Sequence, residues 1–274
     1  MAGLQGKTAL VLGAAGRGNM GQTIARRFAA EGARVLVAGR RGDELERFAG
    51  EIGGRHAICD ITLQNDVENL ARAALDWTGR LDVAVNATGW GLLKPFLETT
   101  AEDLAAMTAL QFQGPFQFLQ AVVKAMAEAG LGGSIIQISS ATATIMLNDH
   151  AAYMGTKAGI DHVIRCVANE FGDRGIRANS ISPGLTDTPM TAEAAATPGL
   201  FDAFLPSYPL GRIGTSEDIA AAALWLAGDD CFMTGANLQV NGGLTLRRNP
   251  TREEIAAAVG RAMQAQAAGV TSGA

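Results

Sequence analysis

The sequence predicts a doubly wound α/β fold, a parallel β-sheet covered by helices on both faces. Two observations carry this. Short apolar runs of strand length alternate with longer segments of helical period, the pattern of parallel strands joined by crossover helices. The first apolar run, residues 7–12, opens directly into the glycine-rich segment GAAGRGNMG at residues 13–21.

Taken in order, residues 7–12 read as the first buried strand and 20–31 as the helix that follows the glycines. Buried strands follow at 34–38, 55–59, 82–85, 134–139 and 176–181, with helices at 64–77, 101–129 and 150–171. Helix 216–227 then precedes a last strand at 237–240. Right-handed crossovers are expected throughout. Residues 185–212 hold Pro189, Pro198, Pro206 and Pro209 among apolar residues and read as an irregular, mobile lid. In the tail, Thr251 and Glu254 form a T-x-x-E capping box ahead of a helix at 252–266. Ile255, Val259 and Met263 give that helix one apolar stripe, and 267–274 is expected to fray. The organisation is one domain over 1–248, lid included, and a C-terminal helical extension over 249–274 that covers the substrate side.

Composition narrows the function. Hydrophobic residues make up 48% of the 274 and charged residues 18%, which can bury a sizeable core and argues against disorder. The net charge of −5 offers no nucleic-acid footprint. No apolar run reaches the length of a membrane span and no signal peptide is evident, so a cytoplasmic setting is expected. Cys59, Cys166 and Cys231 lack C-x-x-C spacing and are expected as buried thiols. His56, His150 and His162 share no metal-ligand spacing, so no metal site is expected.

The glycine turn is the first candidate site. A strand feeding a helix through glycines presents bare amides at a helix N-terminus, where a pyrophosphate is favoured. Gly16, Gly18 and Gly21 satisfy G-x-G-x-x-G, and Gly13, Arg17, Asn19 and Met20 complete the candidate contacts. At the end of the second strand stand Gly39, Arg40 and Arg41 instead of the acid that would accept from an NAD ribose. Arginine there suits a 2′-phosphate. NADP(H) is therefore the expected cofactor and NAD(H) the alternative; solvated charges at a helix start are the other reading of the two arginines.

The second candidate site is chemical. Tyr153 and Lys157 are four apart in the helical pattern and share one face. A neighbouring ammonium favours the phenolate, which makes the pair a plausible general acid/base. Ser139 and Ser140 end the fifth strand, N-A-T-G (86–89) the fourth, Asp60 the third, and P-G-L-T-D-T-P (183–189) follows the sixth. Ligands of open α/β sheets bind beyond these carboxyl ends. Trp90, Met146, His150, Met190, Phe204 and Tyr208 flank the same edge and are candidates for a small, mainly apolar pocket.

These motifs together resemble the short-chain dehydrogenase/reductase family in its single-domain form, over residues 5–243. The match runs through the glycine turn, C-D-I at 59–61, N-A-T-G at 86–89, I-S-S at 138–140 and Y-x-x-x-K at 153–157. It continues with N-S-I-S-P-G at 179–184, P-L-G-R-I-G at 209–214 and T-G-A-N-L-Q-V-N-G-G at 234–243. The resemblance implies a Rossmann-type sheet of seven strands in the order 3-2-1-4-5-6-7. It implies Tyr153 as acid or base, Ser140 holding the substrate oxygen, and Lys157 holding the ribose and lowering the tyrosine pKa. Asp60 and Ile61 would lie at the adenine, Asn86, Ala87 and Gly89 along the adenosine ribose, and Pro183, Gly184, Thr186 and Thr188 at the nicotinamide and pyrophosphate. A homotetramer is also implied; helices 101–129 and 150–171 carry more apolar positions than one buried face requires.

Four departures stand out. The glycine turn is two residues longer than usual and looks more like that of enoyl-thioester reductases, which place their tyrosine seven residues before the lysine; here that position is His150. N-A-T-G replaces N-N-A-G, and N-G-G at 241–243 replaces D-G-G. Gln111 stands where the family usually has an asparagine that holds a relay water. The resulting expectation is reversible hydride transfer between NADPH and a ketone. An enoyl reductase is the enzymatic alternative, and a cofactor-binding regulator the non-enzymatic one.

Overall fold

The computed structural model describes residues 3–268. Its main sheet has seven parallel strands: β1 (Thr8–Leu12), β2 (Arg34–Gly39), β3 (Arg55–Ile58), β4 (Val83–Asn86), β5 (Gly133–Ile138), β6 (Ile176–Pro183) and, last in the chain, β9 (Asn237–Val240). The order is β3-β2-β1-β4-β5-β6-β9. This is the expected order, with two short strands counted in between. Those are β7 (Thr186–Asp187) and β8 (Gly214–Thr215), which pair with each other across the segment between them.

Residue alternation along β1 shows why helices lie on both faces. Leu10 and Leu12 join a core with Leu70, Phe118, Val122 and Ile164. Ala9 and Val11 point the other way, into a core with Ile24, Phe28, Phe48 and Leu226. A strand apolar on both faces has no solvent side, which suits a central parallel sheet. The first core lies under α3 (Gln64–Thr78), α5 (Gly114–Ala129) and α6 (Ala151–Phe171), and the second under α1 (Met20–Ala30), α2 (Gly42–Ile52) and α9 (Ser216–Ala227). Chain order reverses between β1 and β4, and the crevice at that reversal is where the polar strand ends gather.

Several expectations change. Strand β3 is an edge strand, and Ile58 is 66% exposed rather than buried. Helix α2 was not expected; Leu45, Phe48 and Ala49 form its buried face, and Gly53 closes it in the left-handed region with φ 64°. The expected single helix 101–129 is two, α4 (Ala101–Thr108) and α5, joined by a π-helical turn at Ala109–Gln113. Pro115 in the first turn of α5 has no N–H to donate to the preceding turn, so the ladder changes register there. Cys166 is exposed, while Cys59 and Cys231 are buried.

The segment 185–212 is only partly irregular: it contains α7 (Ala192–Ala196) and α8 (Leu200–Phe204). The tail helix α10 (Arg252–Ala267) starts at the expected capping box, with the Thr251 hydroxyl accepting from the Glu254 amide and Glu254 accepting from the Thr251 amide. Its contact face keeps part of the expected stripe: Ile255 packs against the cluster of Phe204, Tyr208 and Leu244. Met263 is 54% exposed, and Ala258 and Ala262 instead lie against Gly199 at the start of α8. Gly199 has φ 75°, and a Cβ there would come within 2.7 Å of the Ala258 carbonyl oxygen. Of the residues expected to fray, 267 and 268 close α10 and the rest lie outside the described residues.

Candidate active site

The glycine turn is built by close approach of backbone. A Cβ on Gly13 would lie 2.6 Å from the Ala87 carbonyl carbon, and one on Gly21 would lie 2.6 Å from the Gly13 oxygen. Asn19 organises the turn. Its Oδ1 accepts from the Gln22 amide at 3.0 Å, capping α1, and its Nδ2 donates to the Gly13 carbonyl at 2.8 Å. Met20 is the first residue of α1. Gly39 ends β2 where a Cβ would meet the Ala15 methyl at 2.7 Å, which excludes a larger residue. Arg17, Arg40 and Arg41 are all exposed at this edge. Arg41 Nε donates to the Ala15 carbonyl at 2.7 Å, which draws its guanidinium over the turn.

The polar strand ends are ordered by their own turns. Asp60 Oδ1 accepts from the Thr62 amide and hydroxyl at 3.0 and 2.8 Å. The Thr62 amide, and more weakly the charge of Arg40, hold the Asp60 carboxyl below its usual range. Ile61 is buried with its carbonyl against Gly114. Asn86 is wholly inside: its Nδ2 donates to Gln137 Oε1 at 3.0 Å and its Oδ1 accepts from Thr88, so it shapes the N-A-T-G turn. Gly89 faces Gln111, Lys157 and Met190; a Cβ there would sit 3.4 Å from Gln111 Oε1 and 4.0 Å from both Lys157 Nζ and Met190 Cε. Pro183 ends β6, Thr186 Oγ1 donates to the Gly184 carbonyl, and Thr188 pairs with Thr191.

Ser140, Tyr153 and Lys157 meet as expected. Ser140 leaves the end of β5 with its hydroxyl 2.9 Å from Thr142 Oγ1 and accepting from the Thr142 amide. Lys157 is 3% exposed; its Nζ donates to the Ile138 carbonyl at 2.9 Å and lies 5.6 Å from the centre of the Tyr153 ring. Burial lowers the Lys157 pKa to about 8, against a smaller opposing pull from Asp161. The expected lowering of Tyr153 by Lys157 does not appear in this geometry. Burial raises the tyrosine, and the hydrogen bond with Ser140 is the influence that opposes it.

Gln111 sits in the π-helical turn, 2% exposed. Its Nε2 donates to the Trp90 carbonyl at 3.3 Å, while its Oε1 is buried without a partner. Two residues join the site that the sequence reading did not single out. Asp161, one turn after Lys157, accepts from Ser139 at 2.7 Å and Asn237 at 2.6 Å; its signal was the continued four-residue spacing after Tyr153 and Lys157. Thr142 is the other, a neighbour of Ser140 that no spacing marks.

The six pocket candidates separate. Trp90, Met146 and Met190 are 41%, 69% and 65% exposed. His150 is buried and stacks on Tyr153 with ring centres 4.2 Å apart and planes at 27°. Its Nδ1 is 2.8 Å from the Leu92 carbonyl, and burial lowers its pKa, so the ring is neutral with Nδ1 as donor. Phe204 and Tyr208 are buried in a cluster with Ala141 and Leu244, and Tyr208 Oη accepts from the Leu185 amide at 2.6 Å. Gly184 makes room for that hydroxyl.

A family model described as enoyl-(acyl carrier protein) reductase matches residues 13–245. The chain belongs to the short-chain dehydrogenase/reductase family. Members similar to it include the D-threitol dehydrogenase of Mycolicibacterium smegmatis, 37% identical over 89% of this chain and 95% of that protein. The bovine L-xylulose reductase is 32% identical over 88% and 97%. Among solved structures, a short-chain type dehydrogenase/reductase from Mycobacterium ulcerans superposes with TM-score 0.87 at 31% identity, covering 93% of this chain and 98% of that one. The protein is thus a dehydrogenase/reductase with the seven-stranded single-domain fold of that family. No helix among the described residues is long and apolar enough to cross a membrane.

Proposed function

We propose that this protein interconverts a secondary alcohol and a ketone with NADP(H), using Tyr153 as the acid/base. The observation that carries the reading is the meeting of Ser140, Tyr153 and Lys157 beside the unblocked backbone of Gly89. The residues fit a dinucleotide: the turn is packed so closely at Gly13, Gly16 and Gly21 that a Cβ at any of them would clash, and α1 presents its N-terminus there. Arg17, Arg40 and Arg41 would hold a 2′-phosphate, and Lys157, with one of its three protons committed to Ile138, would hold ribose hydroxyls. When bound, the nicotinamide supplies or accepts the hydride.

The chain's own residues handle the oxygen and its proton. Ser140 holds the substrate oxygen next to the phenol. Tyr153 donates its proton to that oxygen in reduction and takes it back in oxidation. Burial keeps the phenol protonated, the form needed for reduction. Gln111 replaces the usual asparagine, and its unpartnered Oε1 would accept a hydrogen bond from a water that takes the proton from Lys157 toward solvent.

Trp90, Met146 and Met190 would receive an apolar part of a small substrate. The segment 185–212 would close over it as a lid. The relatives' names point to CH–OH chemistry: one is a D-threitol dehydrogenase and another a galactitol 2-dehydrogenase. An enoyl reductase would place a tyrosine seven residues before the lysine, where this site has the neutral His150. We also assign a cytoplasmic setting and a homo-oligomer, since Leu93, Phe96, Leu97, Leu104 and Phe116 expose apolar surface along one segment. A panel of ketones, secondary alcohols and an enoyl thioester with both cofactors tests the assignment. Turnover confined to the enoyl thioester would overturn it.

A further inference from the structure

The C-terminal helix reaches the catalytic tyrosine through two residues. Asp149 is the only non-glycine among the described residues with positive φ, at 61°. An L-residue in that region persists where its surroundings hold it. Arg252, the first residue of α10, pairs with the Asp149 carboxylate across the molecule. One turn of loop away, Asn249 Nδ2 donates to the Met146 carbonyl at 3.0 Å. The loop from Ser140 to His150 is therefore fastened to the tail at two points. Asp149 is followed by His150, whose ring stacks on Tyr153.

We infer that Arg252 is a positioning residue for the active site: its ion pair with Asp149 holds the left-handed turn that seats His150 on Tyr153. The inference rests on Tyr153 being the acid/base. The other attachments are the Lys94 amide on the Asp149 carbonyl and the Leu92 carbonyl on His150 Nδ1. They steady the backbone of residue 149 and the imidazole, and leave the Asp149 carboxylate to Arg252. With the stack in place, one face of the phenol is closed to water and its hydroxyl is held toward Ser140. The pair itself is a surface one, with side chains 61% and 27% exposed, and such pairs contribute little to global stability. The effect of breaking it thus falls on the site and not on the fold.

The test is Arg252→Gln against Arg252→Lys, in the full chain. The histidines are three, so the His150 ring protons can be followed by NMR, assigned by their loss in His150→Gln. Stacking on Tyr153 shifts them upfield. Arg252→Gln should move them back toward the position of a free imidazole and lower kcat/KM about 10-fold, as small misplacements do. The NADPH dissociation constant and Tm should stay unchanged, and Arg252→Lys should restore most of both signals. An unshifted His150 resonance in Arg252→Gln would overturn the proposal, as would equal losses in the glutamine and lysine variants. If Tyr153→Phe proves fully active, the acid/base assignment fails, while the resonance still reports whether Arg252 seats His150.

Discussion

Lys157 carries a cost that the fold bears for the sake of the site. It is 3% exposed, and burial brings its pKa from 10.5 to about 8. At about 1.4 kcal/mol per pH unit, holding the ammonium in that position costs about 3 kcal/mol at neutral pH. Lys157→Met keeps a flexible, buried side chain and removes the charge. It also removes one hydrogen bond, worth about 1 kcal/mol. The Ile138 carbonyl is not stranded, because Gln137 Nε2 donates to it at 2.9 Å. The expected net gain is about 2 kcal/mol, or roughly 4–8 °C in Tm for a chain of this size. The sign with pH follows from the lowered pKa. The lysine's cost is full below about pH 8, shrinks as the pH rises toward 10.5, and is gone above it. Thermal melts of both proteins at pH 7 and 9.5, without cofactor, read this directly, with turnover lost in the variant. A variant less stable than the parent at pH 7, or a gain that does not shrink at pH 9.5, would refute the reasoning.

Other perturbations address separate parts of the site. Arg40→Asp should erase or reverse a preference for NADPH over NADH, read as the ratio of kcat/KM values; a parent that uses both equally would remove the arginine argument. Gln111→Met should slow turnover ~10–10²-fold at unchanged cofactor affinity, since it deletes the hydrogen-bond acceptor proposed to hold the relay water and keeps the volume; full activity would take Gln111 out of the relay. Light scattering at micromolar concentration should show an oligomer, and a monomer would leave the exposed Leu93–Leu104 surface unexplained.

Much of this was legible because the determinants are local. The strand runs are short and apolar, the glycines follow the first of them, and Tyr153 and Lys157 share a helix face. What was missed depended on tertiary contact. Helix α2 has a mostly polar surface, and only its packing of Leu45 and Phe48 on β2 and β3 shows its buried side. The π-helical turn at Gln111 arises from Pro115 together with Ile61, whose carbonyl comes too close to Gly114 for any Cβ. In the tail Ile255 packs as its periodicity suggests, but the contact of Ala258 and Ala262 with Gly199 carries too little hydrophobicity to show in a periodicity, and the glycine makes it close. Phe204 and Tyr208 lie at the right edge of the sheet, but a residue's place along the chain does not say whether it lines a pocket or is buried in a cluster of its own, as these are with Ala141 and Leu244.

The central claim is that Tyr153 moves the proton that accompanies hydride transfer at a CH–OH or C=O carbon. It is tested most directly by following nicotinamide absorbance with NADP(H) and a panel of secondary alcohols and ketones, for the parent and for Tyr153→Phe side by side. The account expects turnover of at least one substrate pair by the parent, and a loss of ~10²–10⁴-fold or more in the variant at nearly unchanged cofactor affinity. Comparable turnover by Tyr153→Phe, or cofactor binding by the parent with no turnover of any alcohol or ketone, would contradict it.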